Sequence, residues 1–323
     1  GTIEDNQVIC INTIPNPITE KDPASGGTGT YSYRWLFSED GVGFTIIPGE
    51  IGTGYTPAAP LTVTTYYKRE MQSGVAAWVS SNVITVTVEA ELNPGVIAGS
   101  QTVCQGGNPT AFTEDTAPQG GSSTYQYQWK QASSAGGPFT DISGAINATY
   151  DVPSGLNSTT YYVREVRGGV CSPQLSNVLE VIVEPTLIAG SITGSQTVCY
   201  NGDPVAFGSS VAPSGGNGTY VYQWQAKIGA GTFVDIAGAT QDTYDVPAGI
   251  EYTTVYRRKV SSGTCAETFS NEIQVTVEPT LYPGSIAGEQ TVCENADPAE
   301  ITSIAAPSGG AGTGTYLYQW KSS

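Results

Sequence analysis

The sequence predicts an all-β protein made of a tandem array of antiparallel β-sandwiches. A repeat of about 95 residues runs through the chain and organises it into similar modules. Within each repeat, large apolar side chains alternate with polar ones, and turn residues such as Ser-Gly-Gly recur at about ten-residue spacing. No stretch sustains an apolar period of 3.6 residues. Together these observations favour short strands joined by turns over helices.

The repeat begins with a cysteine motif. Gln-Thr-Val-Cys ends at Cys104, Cys199 and Cys293, and a degenerate copy ends at Cys10. A Tyr-x-Tyr-x-Trp segment follows each cysteine, at Tyr31, Tyr33 and Trp35, at Tyr125, Tyr127 and Trp129, at Tyr220, Tyr222 and Trp224, and at Tyr316, Tyr318 and Trp320. Because successive side chains of a strand point to opposite faces, this alternation predicts a half-buried strand in every copy.

The repeats define three modules and a fragment. We place module one at residues 1–90, module two at 91–185, module three at 186–279 and half of a fourth module at 280–323. Half a sandwich would leave Tyr316, Tyr318 and Trp320 facing water, so we expect the biological chain to continue. The linkers are short and apolar, which predicts stiffly held modules with Leu92, Leu187 and Leu281 packed at the joints.

Composition restricts the function. The chain has 12 basic and 29 acidic residues, a formal charge of -17 and no histidine. Such acidity argues against nucleic acid or an anionic membrane surface as a partner. The absence of histidine excludes Ser-His triads and zinc sites built on histidine, and no apolar run is long enough for direct membrane insertion. We therefore expect a protein that is not an enzyme.

A glycosidase would need two facing carboxylates. The acidic pairs Glu4-Asp5, Glu39-Asp40 and Glu114-Asp115 are adjacent in sequence and do not recur between modules. This pattern favours solvated charge over a catalytic pair.

Each module resembles an immunoglobulin-like domain, with about seven short strands, a tryptophan on the third and a tyrosine near the start of the sixth. The resemblance implies a core built on Trp35, Trp129 and Trp224 with Tyr67, Tyr162 and Tyr256. Arg69, Arg164 and Arg258 stand where antibody domains carry their second core cysteine. Arg164 points toward the core, where we expect its guanidinium to lie over Trp129 or to be paired; the alternative is an arginine that reaches solvent past the sheet edge.

A second cysteine follows the arginine strand in two modules, as Cys171 and Cys265. Immunoglobulin topology places the first and last strands side by side, which predicts the disulfides Cys104–Cys171 and Cys199–Cys265 within modules. Module one has Ala76 at the matching position, so Cys10 is expected to be unpaired, as is Cys293. A rival scheme links Cys171 to Cys199 across a module boundary. Either scheme indicates an oxidising, extracytoplasmic setting.

The motif set resembles the tandem Ig-like repeats of giant surface adhesins in Bacteroidota. The shared motifs are Cys-x-Gly-x-x-Pro, as in Cys104, Gly106 and Pro109, with Tyr-x-Tyr-x-Trp, Ile-x-Gly-Ala, Thr-Thr-x-Tyr-x-Arg and Ser-Asn. Such arrays are exported by the type IX secretion system and include the gliding-motility adhesin SprB. The resemblance implies a stiff extracellular stalk at the cell surface, with neighbouring modules and the surface or secretion machinery as partners.

Carbohydrate binding and calcium binding are two further possibilities. Carbohydrate-binding modules would use exposed aromatic rings, for which Tyr66 and Tyr161 are candidates, but module three has Val255 there, which favours ordinary strand composition. Calcium at the joints is suggested by Glu89 with Glu91, and by Glu184 and Glu278. One carboxylate per joint falls short of a calcium shell, so we expect no cofactor.

Glycans are candidate modifications. Asn147, Asn157 and Asn217 fit the pattern for N-linked attachment. Thr116, in Asp115-Thr116-Ala117, resembles the O-glycosylation motif used by Bacteroidota.

Overall fold

The structure is a computed structural model that describes residues 1–322. Throughout those residues the regular elements are β-strands, which confirms the predicted fold class. The strands fall into three similar sets followed by a short fourth. Module one contains β1 (Thr2–Glu4), β2 (Gln7–Cys10), β3 (Thr19–Asp22), β4 (Ser32–Ser38), β5 (Thr45–Ile46), β6 (Thr65–Gln72) and β7 (Val79–Glu89).

The second and third sets follow the same order with one additional short strand. Module two contains β8 (Val96–Ala98), β9 (Gln101–Cys104), β10 (Thr113–Thr116), β11 (Tyr125–Ala132), β12 (Thr140–Asp141), β13 (Thr160–Gly168), β14 (Gln174–Leu175) and β15 (Leu179–Glu184). Module three contains β16 (Ser191–Thr193), β17 (Gln196–Cys199), β18 (Gly208–Val211), β19 (Val221–Ile228), β20 (Val234–Asp235), β21 (Thr254–Ser262), β22 (Cys265–Phe269) and β23 (Ile273–Glu278). The fourth set contains β24 (Ser285–Ala287) and β25 (Thr302–Ala305).

Each full module has one small and one large sheet. In module one, β1 pairs with β3, and the large sheet has the order β2-β7-β6-β4-β5. Module two repeats this as β10-β8 and β12-β11-β13-β15-β9, and module three as β16-β18 and β17-β23-β21-β19-β20. This strand order, with the tryptophan strand inside the large sheet, is that of an immunoglobulin-like sandwich.

Alternation of side chains builds the core between the two sheets. Strand β21 shows the pattern most regularly, because every second residue from Thr254 to Ser262 is buried. Trp35, Trp129 and Trp224 are fully buried, and each indole N–H donates to a backbone carbonyl oxygen in the loop opposite. The sandwich therefore closes on a buried tryptophan whose polar atom is satisfied.

The remaining aromatic residues pack around this tryptophan. In module two, Phe112 lies 5.5 Å from Trp129 and 5.1 Å from Tyr162, measured between ring centroids. Burial raises the pKa of Tyr162 to about 12, and the same cause raises the pKa of Tyr67 to about 12. These phenols therefore stay neutral in the folded core.

The first and last strands of the large sheet run parallel. In module three, Gln196 lies opposite Val275 and Cys199 lies opposite Glu278. In module one, Cys10 lies opposite Glu89. Parallel strands end at the same edge of a sheet, so the first cysteine of a module sits where its last strand ends.

The residues form two compact units. The first contains Gly1–Gln101, Asn108–Ser154 and Ser158–Ile182. The second contains Thr102–Gly107, Gly155–Asn157 and the residues from Val183 onward. A short segment around Cys104 thus groups with the residues of module three rather than with the body of module two.

Candidate functional site at the cysteine joints

Two disulfides link successive modules. Cys10 of module one bonds Cys171 of module two, and Cys104 of module two bonds Cys265 of module three, each over a sequence separation of 161 residues. Each bond lies within one compact unit. The prediction of bonds within modules, Cys104–Cys171 and Cys199–Cys265, is therefore wrong, and so is the rival pair Cys171–Cys199.

The direction of the strands explains the correction. Cys199 ends β17 beside Glu278, the last residue of β23, whereas Cys265 begins β22 on the far side of the turn from β21. The two cysteines of one module therefore lie at opposite ends of its large sheet. A first cysteine can meet only the second cysteine of the following module.

The bonding states of the individual cysteines also differ from those expected. Cys10, expected to be unpaired, is bonded, and Cys199, expected to be bonded, is an exposed free thiol. Cys293 is also an exposed free thiol. The bonded first cysteines are Cys10 and Cys104, and the bonded second cysteines are Cys171 and Cys265.

A glutamate supports each disulfide. The Glu89 carboxylate accepts a 2.9 Å hydrogen bond from the Val170 N–H, next to Cys171. The Glu184 carboxylate accepts 2.7 and 3.0 Å hydrogen bonds from the N–H and hydroxyl of Thr264, next to Cys265. These side chains were candidates for calcium ligands, but they hold the turn that carries the second cysteine.

Glycine allows the glutamate to approach this turn. Gly169 has a φ of 66°, and a β-carbon at this position would overlap the Glu89 carboxylate. Gly263 has a φ of 56° and has the same relation to Glu184. Both the left-handed backbone and the close contact require glycine here.

Across residues 1–322, no group of three or more metal-ligating side chains could hold an ion.

An apolar cluster surrounds each disulfide. Leu92 packs with Val166 and Cys171, and Cys10, Tyr125 and Tyr127 lie against them. The equivalent cluster contains Leu187, Ala189, Val260 and Cys265, with Cys104, Tyr220 and Tyr222 against it. Each joint thus combines a covalent bond, a charged hydrogen bond and buried apolar surface.

The core arginines are paired rather than exposed. Arg164 is fully buried, and its guanidinium donates to Glu114 at 2.7 Å and to the carbonyl oxygens of Ala148 and Pro94 at 2.8 and 3.1 Å. It lies over Tyr127 rather than Trp129, with 4.8 Å between the guanidinium carbon and the ring centroid, so of the two expected arrangements the structure shows the paired one. The strand alternation places Tyr127 on the same face, two residues before the tryptophan.

The three modules use different partners for this arginine. Arg69 forms an ion pair with Glu20 at 2.7 Å and lies over Tyr33. Arg258 instead donates to the Ser209 hydroxyl at 2.7 Å and lies 4.8 Å from the Tyr222 ring. Burial lowers the pKa of Arg258. A carboxylate is thus common but not required beside this buried charge.

The other candidate residues lie outside these joints. Glu114, considered as half of an acidic pair, is used by Arg164, and the Asp40 carboxylate accepts hydrogen bonds from Ser38 and the N–H groups of Val42 and Gly43. Tyr66 and Tyr161 are half-buried, and a hydrogen bond to Glu180 raises the pKa of Tyr161. The glycosylation candidates are all exposed: Thr116, Asn147, Asn157 and Asn217.

Sequence reasoning missed the pairing between modules, although one observation pointed to it. Cys10 is present in module one while Ala76 replaces the second cysteine. A bond within modules would leave Cys10 without a use, whereas a bond to the next module requires Cys10 and does not require a cysteine at residue 76.

No helix among the described residues has the length and apolar character needed to cross a membrane.

The fold and joints define a tandem array of immunoglobulin-like sandwiches tied by disulfides. The chain belongs to a family described as a domain of unknown function, DUF8696, whose sequence profile matches residues 1–90, 93–185 and 188–279. The disulfides indicate a secreted or extracellular protein. No curated protein matches the chain in sequence.

Several solved structures are similar in fold. An I-band fragment of titin is 12% identical, with a TM-score of 0.48, over 84% of this chain and 95% of the fragment. Three N-terminal domains of the Highly Immunogenic Outer Capsid protein of bacteriophage RB49 are 14% identical, with a TM-score of 0.42, over 85% of this chain and 98% of theirs. A marsupial T cell receptor is 12% identical, with a TM-score of 0.39, over 85% and 99%. The immunoglobulin-like class rests on the strand order and core described above.

Proposed function

We propose that this chain is a load-bearing part of an extracellular stalk, in which each module is covalently tied to the next. The observation that carries the proposal is the pair of disulfides Cys10–Cys171 and Cys104–Cys265. A bond within a module would protect only that module against unfolding. A bond between successive modules also keeps their joint closed when force is applied along the chain.

The two disulfide loops overlap, and this limits how far the chain can extend. A covalent path runs from Cys10 across to Cys171, back along the chain to Cys104, and across to Cys265. Only about 67 residues of polypeptide lie on that path, or about 230 Å when fully extended. Without the disulfides, about 255 residues separate Cys10 from Cys265, or about 900 Å.

The surroundings of the disulfides support the same function. Glu89 and Glu184 hold the second-cysteine turns by charged hydrogen bonds, and Leu92 and Leu187 are buried against them. These contacts must also break before the modules separate. We place the stalk at the cell surface, with adjacent modules and the attachment or secretion machinery as its partners, and we propose that it belongs to a surface adhesin of Bacteroidota.

Single-molecule force spectroscopy on the full chain tests this proposal. With disulfides intact, the segment between Cys10 and Cys265 should extend by no more than about 230 Å even after its modules unfold, and reductant should raise the limit to about 900 Å. The variant Cys104→Ser/Cys265→Ser is a matched control, since it retains the first bond. About 94 residues then lie on the path, which should give an intermediate limit of about 320 Å. Equal extensions with and without reductant would rule out the covalent route.

Glycosylation remains a prediction within this proposal. The exposed positions Thr116, Asn147, Asn157 and Asn217 lie outside the disulfide clusters, so attached glycans would not obstruct the joints. Intact-mass measurement of the chain isolated from its natural source would detect them. A mass equal to that of the unmodified polypeptide would exclude modification at all four positions.

A further inference from the structure

We infer that the groove beside Cys199 is a docking site for the cysteine turn of another module of this repeat, and that Cys199 forms a disulfide with that turn. The groove is lined by Cys199, Tyr200, Glu278 and Leu281 together with Tyr316 and Tyr318, all within the second compact unit. The inference concerns a binding site, and it stands whether or not the chain bears load.

The receiving half of a joint is already formed beside Cys199. At the two closed joints, the residue after the first cysteine donates its N–H to the carbonyl oxygen of the joint glutamate: Ile11 to Glu89 and Gln105 to Glu184, both at 2.8 Å. Tyr200 donates to Glu278 in the same way at 2.8 Å. Cys199 and Glu278 therefore stand in the arrangement that Cys10 and Glu89 have beside a bound turn.

The apolar residues beside Cys199 are uncovered, unlike those of the two closed joints. Leu92 is 3% exposed and Leu187 is 6% exposed because a valine and a cysteine from a later strand and turn of the same module cover them. Leu281, the equivalent residue, is 59% exposed, and Tyr318, equivalent to the half-buried Tyr127, is 72% exposed. An apolar cluster is thus present at this joint without the residues that cover it at the other two.

The covering residues define the chemistry of the partner. In module two they are Val166 and Cys171, and in module three they are Val260 and Cys265, five residues apart in both cases. A glycine with positive φ, Gly169 or Gly263, precedes each cysteine by two residues and lies against the glutamate. The partner is therefore a strand and turn with the sequence Val-x-x-Gly-x-Cys.

This turn must come from outside the described residues. Cys171 and Cys265 are already bonded, and module one has Ala76 at the equivalent position. A second copy of these three modules thus offers no free turn cysteine. The occupant we propose is a Val-x-x-Gly-x-Cys turn of the same repeat that lies outside residues 1–322 and carries an unbonded cysteine.

The covalent step is a thiol–disulfide exchange. The Cys199 thiolate attacks the turn sulfur of a mixed disulfide, a new sulfur–sulfur bond forms, and the former partner leaves as a thiolate that takes up a proton. Starting from two thiols, a disulfide oxidant accepts the two electrons and two protons and is itself reduced to thiols. No other cofactor is needed.

The test uses the full oxidised chain and a peptide with the sequence of residues 160–176, whose one cysteine is activated as a mixed disulfide with thionitrobenzoate. Cys293 provides an internal control, because it follows the same Gln-Thr-Val sequence and is an exposed thiol. We expect the peptide to react at Cys199 at least about tenfold faster than at Cys293, because docking raises its local concentration. The small disulfide of thionitrobenzoate alone should react with both at similar rates.

Two changes show whether docking causes the difference. Glu278→Gln in the protein, and Val166→Ser in the peptide, should each reduce the rate ratio between Cys199 and Cys293 by about threefold or more. The peptide change leaves the protein untouched, so it remains informative if the protein variant is unstable. Equal rates at the two cysteines would overturn the inference, and so would a high ratio that neither change reduces. Neither outcome bears on the force experiment, which depends only on the bonds already present.

Discussion

The turn after the arginine strand has the same backbone in modules one and two but a different environment. Gly74 has a φ of 58° and Gly169 a φ of 66°, and each is followed two residues later by Ala76 or Cys171. Ala76 is exposed, whereas Cys171 is buried against Leu92 and bonded to Cys10. The turn therefore forms without the disulfide, and the cysteine serves the joint with the preceding module rather than the sandwich that contains it.

The largest expected effect comes from removal of the first bond. Cys10→Ser/Cys171→Ser removes a loop of 161 residues, which a chain-entropy estimate values at about 5 kcal/mol of stability. Denaturant unfolding followed by tryptophan fluorescence should show a lower midpoint for the first compact unit. The variant Cys199→Ser is the matched control, since this thiol is free. A midpoint shift no larger than that of the control would contradict the account.

The next largest effect concerns the buried arginine that is paired with a glutamate in both module one and module two. Arg164→Leu should destabilise module two by about 3 kcal/mol, because the Ala148 and Pro94 carbonyl oxygens and Glu114 lose their partner. Glu114→Ser should cost less, about 1 kcal/mol, since it reproduces the Arg258–Ser209 contact of module three. Thermal unfolding of both variants measures the difference. If Glu114→Ser were the more harmful change, the carboxylate rather than the arginine would be the essential member.

A smaller effect isolates the glutamate at the joint. Glu89→Gln should weaken the hydrogen bond to the Val170 N–H and lower stability by about 1.5 kcal/mol, because a charged acceptor becomes a neutral one. It should also raise the rate at which a reductant opens Cys10–Cys171. The neighbouring Glu91→Gln is the control. Reduction at the same rate in the two variants would show that the Glu89 carboxylate does not protect the Cys10–Cys171 bond.

The smallest effect tests module one directly. Ala76→Cys should leave stability within about 0.5 kcal/mol of the parent chain, because residue 76 is exposed and its backbone already matches that of Cys171. The new thiol should react with a small thiol reagent while both original disulfides persist. Pairing of the new cysteine with Cys10 would show that bonds within modules are feasible after all.

The general architecture could be predicted from the sequence. Alternation around Trp129 and the recurrence of Tyr162 and Arg164 indicate strands and inward-facing residues, because a period of two fixes which face is buried. The structure agrees in strand order, and it shows the arginine paired within the core. These features follow from local patterns, which a single repeat is sufficient to reveal.

The disulfide partners could not be fixed in the same way. In a regular repeat, Cys104 has a possible partner both in its own module, Cys171, and in the next module, Cys265. Spacing alone therefore does not choose between the two schemes. The choice depends on the parallel pairing of the first and last strands, which places Cys199 at the level of Glu278. The hydrogen bonds of Glu89 and Glu184 depend on the same arrangement and were likewise not evident from local sequence.

Peptide mapping under non-reducing conditions is the most direct test of the interlocked pairing. Digestion of the oxidised chain with the free thiols blocked should release cross-linked peptides that join Cys10 to Cys171 and Cys104 to Cys265, with the blocking group on Cys199 and Cys293. Recovery of a peptide that joins Cys104 to Cys171, with Cys10 blocked, would contradict it.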